Sequence, residues 1–331
     1  MSGEYAPLFV LTVDAEEEWD WSSGLPQPPY STENIRCIPE FQNRCAEVGI
    51  IPTYFVDSAV LEVERNRKIL TDHFNRGECD IGAQLHPWCT APVQEPLTEH
   101  HSHSINLDEN LVNEKLRTLT EQMTKAFGVH PFSFRCGRWG MNGTILEMLA
   151  QLGYSVDSSV RPYYHTEHFS YRDTPNKPYW PSFGDICHPG NQRSVLEFPV
   201  ADGFSNSNFE RLAHWHDQLA RYPFRKLHVH GILARLNLLR KIVMTPEVTG
   251  ASDLCRCIDM QIRRGNPVVT LFMHSSDLLA GATEYTPDEA AVERFMTALE
   301  TCAKHAHSAH GAQFVGIREA HGLLMSRSLW K

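Results

Sequence analysis

Short apolar runs, each closed by a polar residue able to do chemistry, recur along this chain with helix-length segments between them. Leu8-Phe9-Val10-Leu11-Thr12-Val13 is continuous and β-rich, the pattern of a strand covered on both faces, and it runs into Asp14-Ala15-Glu16-Glu17-Glu18. Pro52 to Val56, Cys79 to Gln84, Phe132 to Arg135, Tyr154 to Asp157, Val195 to Val200, Pro267 to Phe272 and Gln313 to Ile317 read as strands or strand ends. The spacing predicts helices around Ile38 to Val48, over 58–76, over 108–127, from Thr144 to Leu152 and from Glu289 to His305. In 108–127, Leu111, Leu116, Leu119, Met123 and Phe127 share one helical face.

Strands alternating with helices through short connections build parallel βαβ units, so the chain is α/β. About seven strands in series suggest a distorted, TIM-like barrel rather than an open sheet. A chain of 331 residues is long for one core unless it closes into a barrel. No linker or internal repeat divides it, so 1–331 reads as a single domain, with a loop insertion around 161–194 where Pro, Tyr and His cluster.

Acidic residues outnumber basic ones, 40 to 30, for a formal charge of -10. Such a surface repels phosphate backbones and argues against a nucleic-acid partner. No window holds the roughly 18–20 apolar residues of a membrane span. The opening residues lack the basic start and long apolar stretch of a secretory signal. The nine cysteines are odd in number and scattered, which suits a reducing compartment. The expected location is cytoplasmic; the oligomeric state is left open.

In barrels of this kind the active site gathers at the C-terminal ends of the strands. Asp14 and Glu16, Gln84 and His86, Arg135, Asp157 and His274 all fall there. Together they offer a base, an acid, an orienting cation and oxygen and nitrogen ligands, the parts that metal-assisted amide hydrolysis needs.

In order and local wording the chain resembles the polysaccharide deacetylase (NodB-homology) family of carbohydrate esterases, and within it the divergent WalW-type branch. The matching pieces are Thr12 to Glu17, Pro52 to Val56, Ile81-Gly82-Ala83-Gln84-Leu85-His86-Pro87-Trp88, Phe134 to Gly140, Gly153 to Ser159, and Leu271 to Ser276. The resemblance implies a hydrolase that removes an acetyl or other acyl group from the nitrogen of an amino sugar, with a divalent metal, most often zinc. It implies Asp14 as general base, His274 as the acid that protonates the leaving amine, Arg135 as the residue holding the base, and Asp157 as the residue tuning the acid. Metal ligands would be Asp14, Glu16 and His86. Gln84, Trp88, Arg138, Trp139 and His230 are candidate substrate contacts, the partner being an N-acylated saccharide.

Two departures from the family pattern bear on the metal. Ala15 stands where a second aspartate usually follows the base, which leaves Glu16 as the substitute carboxylate. Only one of two expected histidines is present, His86, with Thr90 four residues on. These departures keep two other readings open: a metal-independent amidohydrolase acting on a small cyclic amide, and a non-catalytic saccharide-binding barrel. Glu17, Glu18 and Asp20 read as a solvated loop, as does His100-His101-Ser102-His103.

Overall fold

The computed structural model of the protein describes residues 5–19, 24–220 and 239–327. In chain order, β1 (Leu8–Ala15), α1 (Ile38–Val48), β2 (Thr53–Val56), α2 (Ser58–Glu62), α3 (Glu64–Asn75), β3 (Asp80–Leu85), α4 (Glu109–Phe127), β4 (Ser133–Cys136), α5 (Gly143–Leu152) and β5 (Val156–Asp157) make the first part. After β6 (Leu196–Glu197) come β7 (Gly203–Phe204), α6 (Phe209–Ala220), β8 (Lys241–Ile242), α7 (Ala251–Arg263) and β9 (Val268–His274). The chain ends with α8 (Glu289–His310), β10 (Gln313–Phe314) and α9 (Ile317–Ser326).

Seven parallel strands, in the order β9-β1-β2-β3-β4-β5-β6, curl into a half-barrel, with the short β10 beside the start of β1. Backbone bonds from Ala201 to Thr270 (2.9 Å) and from Phe272 to Met244 (3.1 Å) bring irregular chain across the open edge of β9. Between β5 and β6 the chain forms only isolated bridges, such as Tyr179 with Glu197. The stretch expected as one helix over 58–76 is broken at Val63, whose extended backbone separates α2 from α3. The last apolar run is a strand for two residues only, because Ile317 opens α9.

The alternation of side chains along β1 divides the molecule. Phe9, Leu11, Val13 and Ala15 belong to the large core shared with α1, α4, α5 and α8. Leu8 and Val10 face the other way, into a smaller core with Phe55, Val156, Leu196 and Val268, and α9 plugs it with Ile317, Ala320 and Leu324. Thr12, Asp14 and Glu16 continue that inward face toward the strand C-terminal ends. The interior is therefore apolar at the bottom, closed by α9, and polar at the top.

The loop after β3 is pinned from below. Lys115 of α4 is fully buried, and its Nζ donates to the carbonyls of Pro87 (2.8 Å), Thr90 (2.7 Å) and Pro92 (2.7 Å). It also pairs with Glu95 at 2.9 Å. Among the described residues no helix is long and apolar enough to cross a membrane.

Candidate functional site

Asp14 and His274 are register partners on adjacent parallel strands, so both side chains project from the same face at the same height. Nε2 of His274 stands 3.8 Å from Oδ2 of Asp14 and 3.9 Å from Oε1 of Glu16. Each of the pair is held from behind. Arg135 donates to Oδ1 of Asp14 at 2.5 Å and is itself fixed by Thr12 Oγ1, Ser158 Oγ and Ser158 O. His274 turns Nδ1 to Oε1 of Glu247 at 2.8 Å, and its backbone N–H donates to the same oxygen. The His274 side chain is 18% exposed and that of Asp14 3%, so the imidazole is the member of the pair that meets solvent.

The electrostatics follow from burial and these contacts. Burial works against a charged His274, but Glu247, Glu16 and Asp14 outweigh it and hold the imidazole well above its ordinary range. Burial pushes Glu16 up to about 7, with His274 and His86 pulling it back. Asp277 is raised to about 8 by burial and by the charge of Glu247, to which it donates. An acid, a carboxylate and an imidazole thus run in series from Asp277 through Glu247 to His274.

Asp157 does not reach His274, in contrast to the expectation. It lies in register with Phe134, not Arg135, and with a period of two its side chain falls on the helix-facing side of the sheet. There it accepts from Ser159 at 2.6 Å and pairs with Glu197, its register neighbour on β6. Burial and the Asp157 charge drive Glu197 far above the carboxylate range, so Glu197 carries the proton of the pair. Glu247, from the loop before α7, takes the place at Nδ1 expected for Asp157.

The metal ligands expected from the sequence do not gather at one point. His86 Nε2 lies 3.5 Å from Oε2 of Glu16, yet the donors within 4.8 Å of one another are Asp14, Glu16 and His274. His86 groups instead with Glu17, Asp57 and Cys89. Its Nδ1 is 3.2 Å from Glu17 and 3.4 Å from Asp57, and its ring stacks on Trp88 at 4.3 Å. Despite its burial, Glu17 is lowered to about 2 by the His86 charge and by hydrogen bonds from Asp57, His86 and Trp88. Glycine at 137 is required here, since a Cβ would stand 2.1 Å from Cδ2 of His86.

Glu17 and Glu18 are not a solvated loop. Glu17 is buried, and Glu18 accepts from Ser31 Oγ and the Asn34 backbone. Within the histidine tract His103 is buried, and burial depresses it to about 4.

Of the expected substrate contacts, Gln84 donates to Oε2 of Glu16 at 2.8 Å. Trp88 is 3% exposed and donates its indole N–H to Glu17, so its ring face serves packing rather than a sugar. Arg138 is tied to Glu99 and Ser102. Arg138 and Trp139 hold left-handed backbone (φ 55° and 64°), a strained turn typical of functional loops. That turn brings the Trp139 ring within 4.9 Å of the guanidinium groups of both Arg135 and Arg161. His230 and Asp20 lie outside the described residues.

Sequence reading passed over Asp57, Glu197, Glu247 and Asp277. Two carried a signal: Asp57 ends a strand as Asp14 does, and Glu197 interrupts the apolar run Val195 to Val200. Glu247 sits in an irregular segment, and only the folded chain brings it to His274.

No protein-family model matches the chain, and no curated protein does. Solved structures share its fold. A protein assigned as a polysaccharide deacetylase from Mycobacterium smegmatis is 17% identical with a TM-score of 0.54, over 98% of this chain and 93% of that one. One with the same assignment from Pseudomonas aeruginosa PAO1 is 14% identical with a TM-score of 0.55, over 97% and 91%. The Puue allantoinase is 12% identical with a TM-score of 0.52, over 97% and 90%. The architecture is therefore the deacetylase-like barrel of seven parallel strands.

Proposed function

We propose that this chain is a hydrolase of the polysaccharide deacetylase family, of its WalW-type branch, and that it removes an acetyl or other acyl group from the nitrogen of an amino sugar in a saccharide or glycan precursor. The observation that carries the reading is Asp14 beside His274 on adjacent strands at the barrel mouth, with Arg135 behind one and Glu247 behind the other. Asp14 draws a proton from the attacking water. His274, held protonated by its carboxylate neighbours, returns one to the leaving nitrogen. Trp139 and Arg138, on the turn after β4, are the proposed substrate contacts.

The donor set also fits a divalent cation. Asp14 and Glu16 are carboxylates with an imidazole on either side of Glu16, a mixture of oxygen and nitrogen ligands that zinc accepts. Asp14 and Glu16 would hold the ion; His86, 3.5 Å from Glu16 but outside the Asp14–Glu16–His274 group, would have to draw in as the nitrogen ligand to leave His274 its proton. When bound there, such an ion would supply polarisation of the acyl oxygen and a more acidic water. Metal content measured on purified protein should fall in His86→Gln and persist in His274→Gln; the reverse pattern makes His274 a ligand and removes it as the acid.

A metal-independent amidohydrolase acting on a small cyclic amide is the second reading, and two observations favour it. Gln84 points an N–H at Glu16, and the Thr90 hydroxyl, where a second histidine is expected, is buried against Ser58 at 3.1 Å. Protein purified without chelator and free of stoichiometric metal, yet active, would establish it. For the leading reading the test is acid release from a panel of N-acetylated amino sugars after loading with zinc or cobalt. Silence across the panel, with and without metal, sinks it.

The Glu247–His274 contact gives a pH prediction. Glu247 raises the imidazole, and activity that needs His274 protonated is lost as pH rises through that raised value. Glu247→Gln should therefore move the alkaline limb of the kcat/KM profile to lower pH and cost roughly 10–100-fold at the optimum, the usual penalty for losing a histidine's carboxylate partner. An unmoved limb would show that Glu247 only packs.

A further inference from the structure

The end of the barrel remote from the cleft holds another gathering of donor atoms, one that the proposed chemistry does not use. Asp259 lies on α7, and His305 and His310 lie in the last turns of α8. Nε2 of His305 is 2.7 Å, and Nε2 of His310 2.6 Å, from one and the same oxygen, Oδ1 of Asp259. The two rings meet nearly edge to face with centroids 5.8 Å apart. All three side chains are partly open to solvent, at 31%, 19% and 27% for His305, His310 and Asp259. The position is set by topology: α8 ends just before β10, which pairs with Leu8 and Phe9 at the start of β1, whereas Asp14 lies near the other end of that strand.

We propose that Asp259, His305 and His310 form a binding site for a first-row divalent cation of the zinc type, tying α7 to the end of α8. Two imidazoles and one carboxylate are a donor set on which zinc, nickel and copper bind well. Both Nε2 atoms converge on one carboxylate oxygen, and with each ring hydrogen carried on Nδ1 instead, the same two nitrogens and the oxygen can point at a single dication. The cation would sit at the C-terminus of a 22-residue helix, where unpaired carbonyls add partial negative charge. Ligand atoms around a tetrahedral zinc with bonds of about 2.0–2.1 Å stand roughly 3.3 Å apart, so the carboxylate has to withdraw by roughly 0.6 Å, and the solvent-open side leaves a position for water.

The test separates this site from the cleft. Zinc chloride is titrated calorimetrically into untagged protein carrying Asp14→Asn and Glu16→Gln, so that the cleft carboxylates are silent. One equivalent is expected to bind. Adding His305→Gln or His310→Gln should weaken that event at least tenfold while the circular dichroism spectrum stays the same, and Asp259→Asn should act in the same direction. Cobalt(II) at the site should give a visible absorption band that disappears in the same variants. Absence of binding in the Asp14→Asn, Glu16→Gln background overturns the proposal, as does binding that survives both histidine substitutions. In an otherwise unaltered chain, His310→Gln should leave amide hydrolysis unchanged, so failure here is distinct from failure of the cleft reading.

Discussion

Asp14→Asn is expected to lower kcat for amide hydrolysis roughly 10²–10⁴-fold, the range supplied by a positioned general base, with KM changed no more than a few-fold. Asparagine keeps the size of the side chain and an oxygen for the Arg135 guanidinium, and it removes the basicity. The fold has little reason to suffer, because Arg135 retains acceptors in Thr12 Oγ1, Ser158 Oγ and Ser158 O at 2.9–3.0 Å. Acid release under saturating substrate, with a urea melt alongside, is the measurement. A variant that folds normally and retains activity within threefold of the parent would remove Asp14 from the chemistry. It would take with it the hydrolase reading, since no other carboxylate pairs with Arg135 at the mouth among the described residues.

Lys115→Met should produce the largest loss of stability among single substitutions outside the apolar core, about 3–5 kcal/mol. The methionine fills much of the volume, but three carbonyls lose their donor and Glu95, whose side chain is 5% exposed, keeps a charge with no partner. All four partners lie in the segment directly after His86. The loss should therefore appear first as protease sensitivity between residues 87 and 96, and only at higher denaturant as global unfolding. Unfolding free energies from urea melts followed by circular dichroism provide the number. A cost under about 1 kcal/mol would mean that water replaces the ammonium in this loop and that the segment is not pinned from α4.

The alternation of buried runs with helical stretches was enough to specify the architecture, because a strand covered on both faces has to be apolar along its length and β1 is so from Leu8 to Val13. The placement of Asp14 and His274 at strand ends was legible for the same reason: a polar residue that closes such a run has to emerge at the rim. Boundaries were less legible where the backbone changes direction without a proline or glycine, as at Val63 between α2 and α3.

The pairing of side chains around these ends was not legible. Asp157 and Arg135 are both strand-end residues in the sequence, yet a one-residue offset in register sends the aspartate to the opposite face of the sheet. Glu247 reaches His274 from an irregular segment that carries no periodicity to read. His86 faces Glu17 and Asp57 because a buried imidazole settles among the carboxylates nearest to it, whichever strand they follow.

Hydrophobic pattern by itself thus determined a parallel barrel with Asp14 and His274 at one rim, since burial acts on each residue according to its own chemistry and its neighbours along the chain. Which acid serves the histidine, which donors gather, and which aromatic rings turn inward were decided by tertiary structure alone. Those outcomes depend on register and on loops meeting in space, and contacts of a few ångströms between residues a hundred positions apart leave no periodic trace in the sequence.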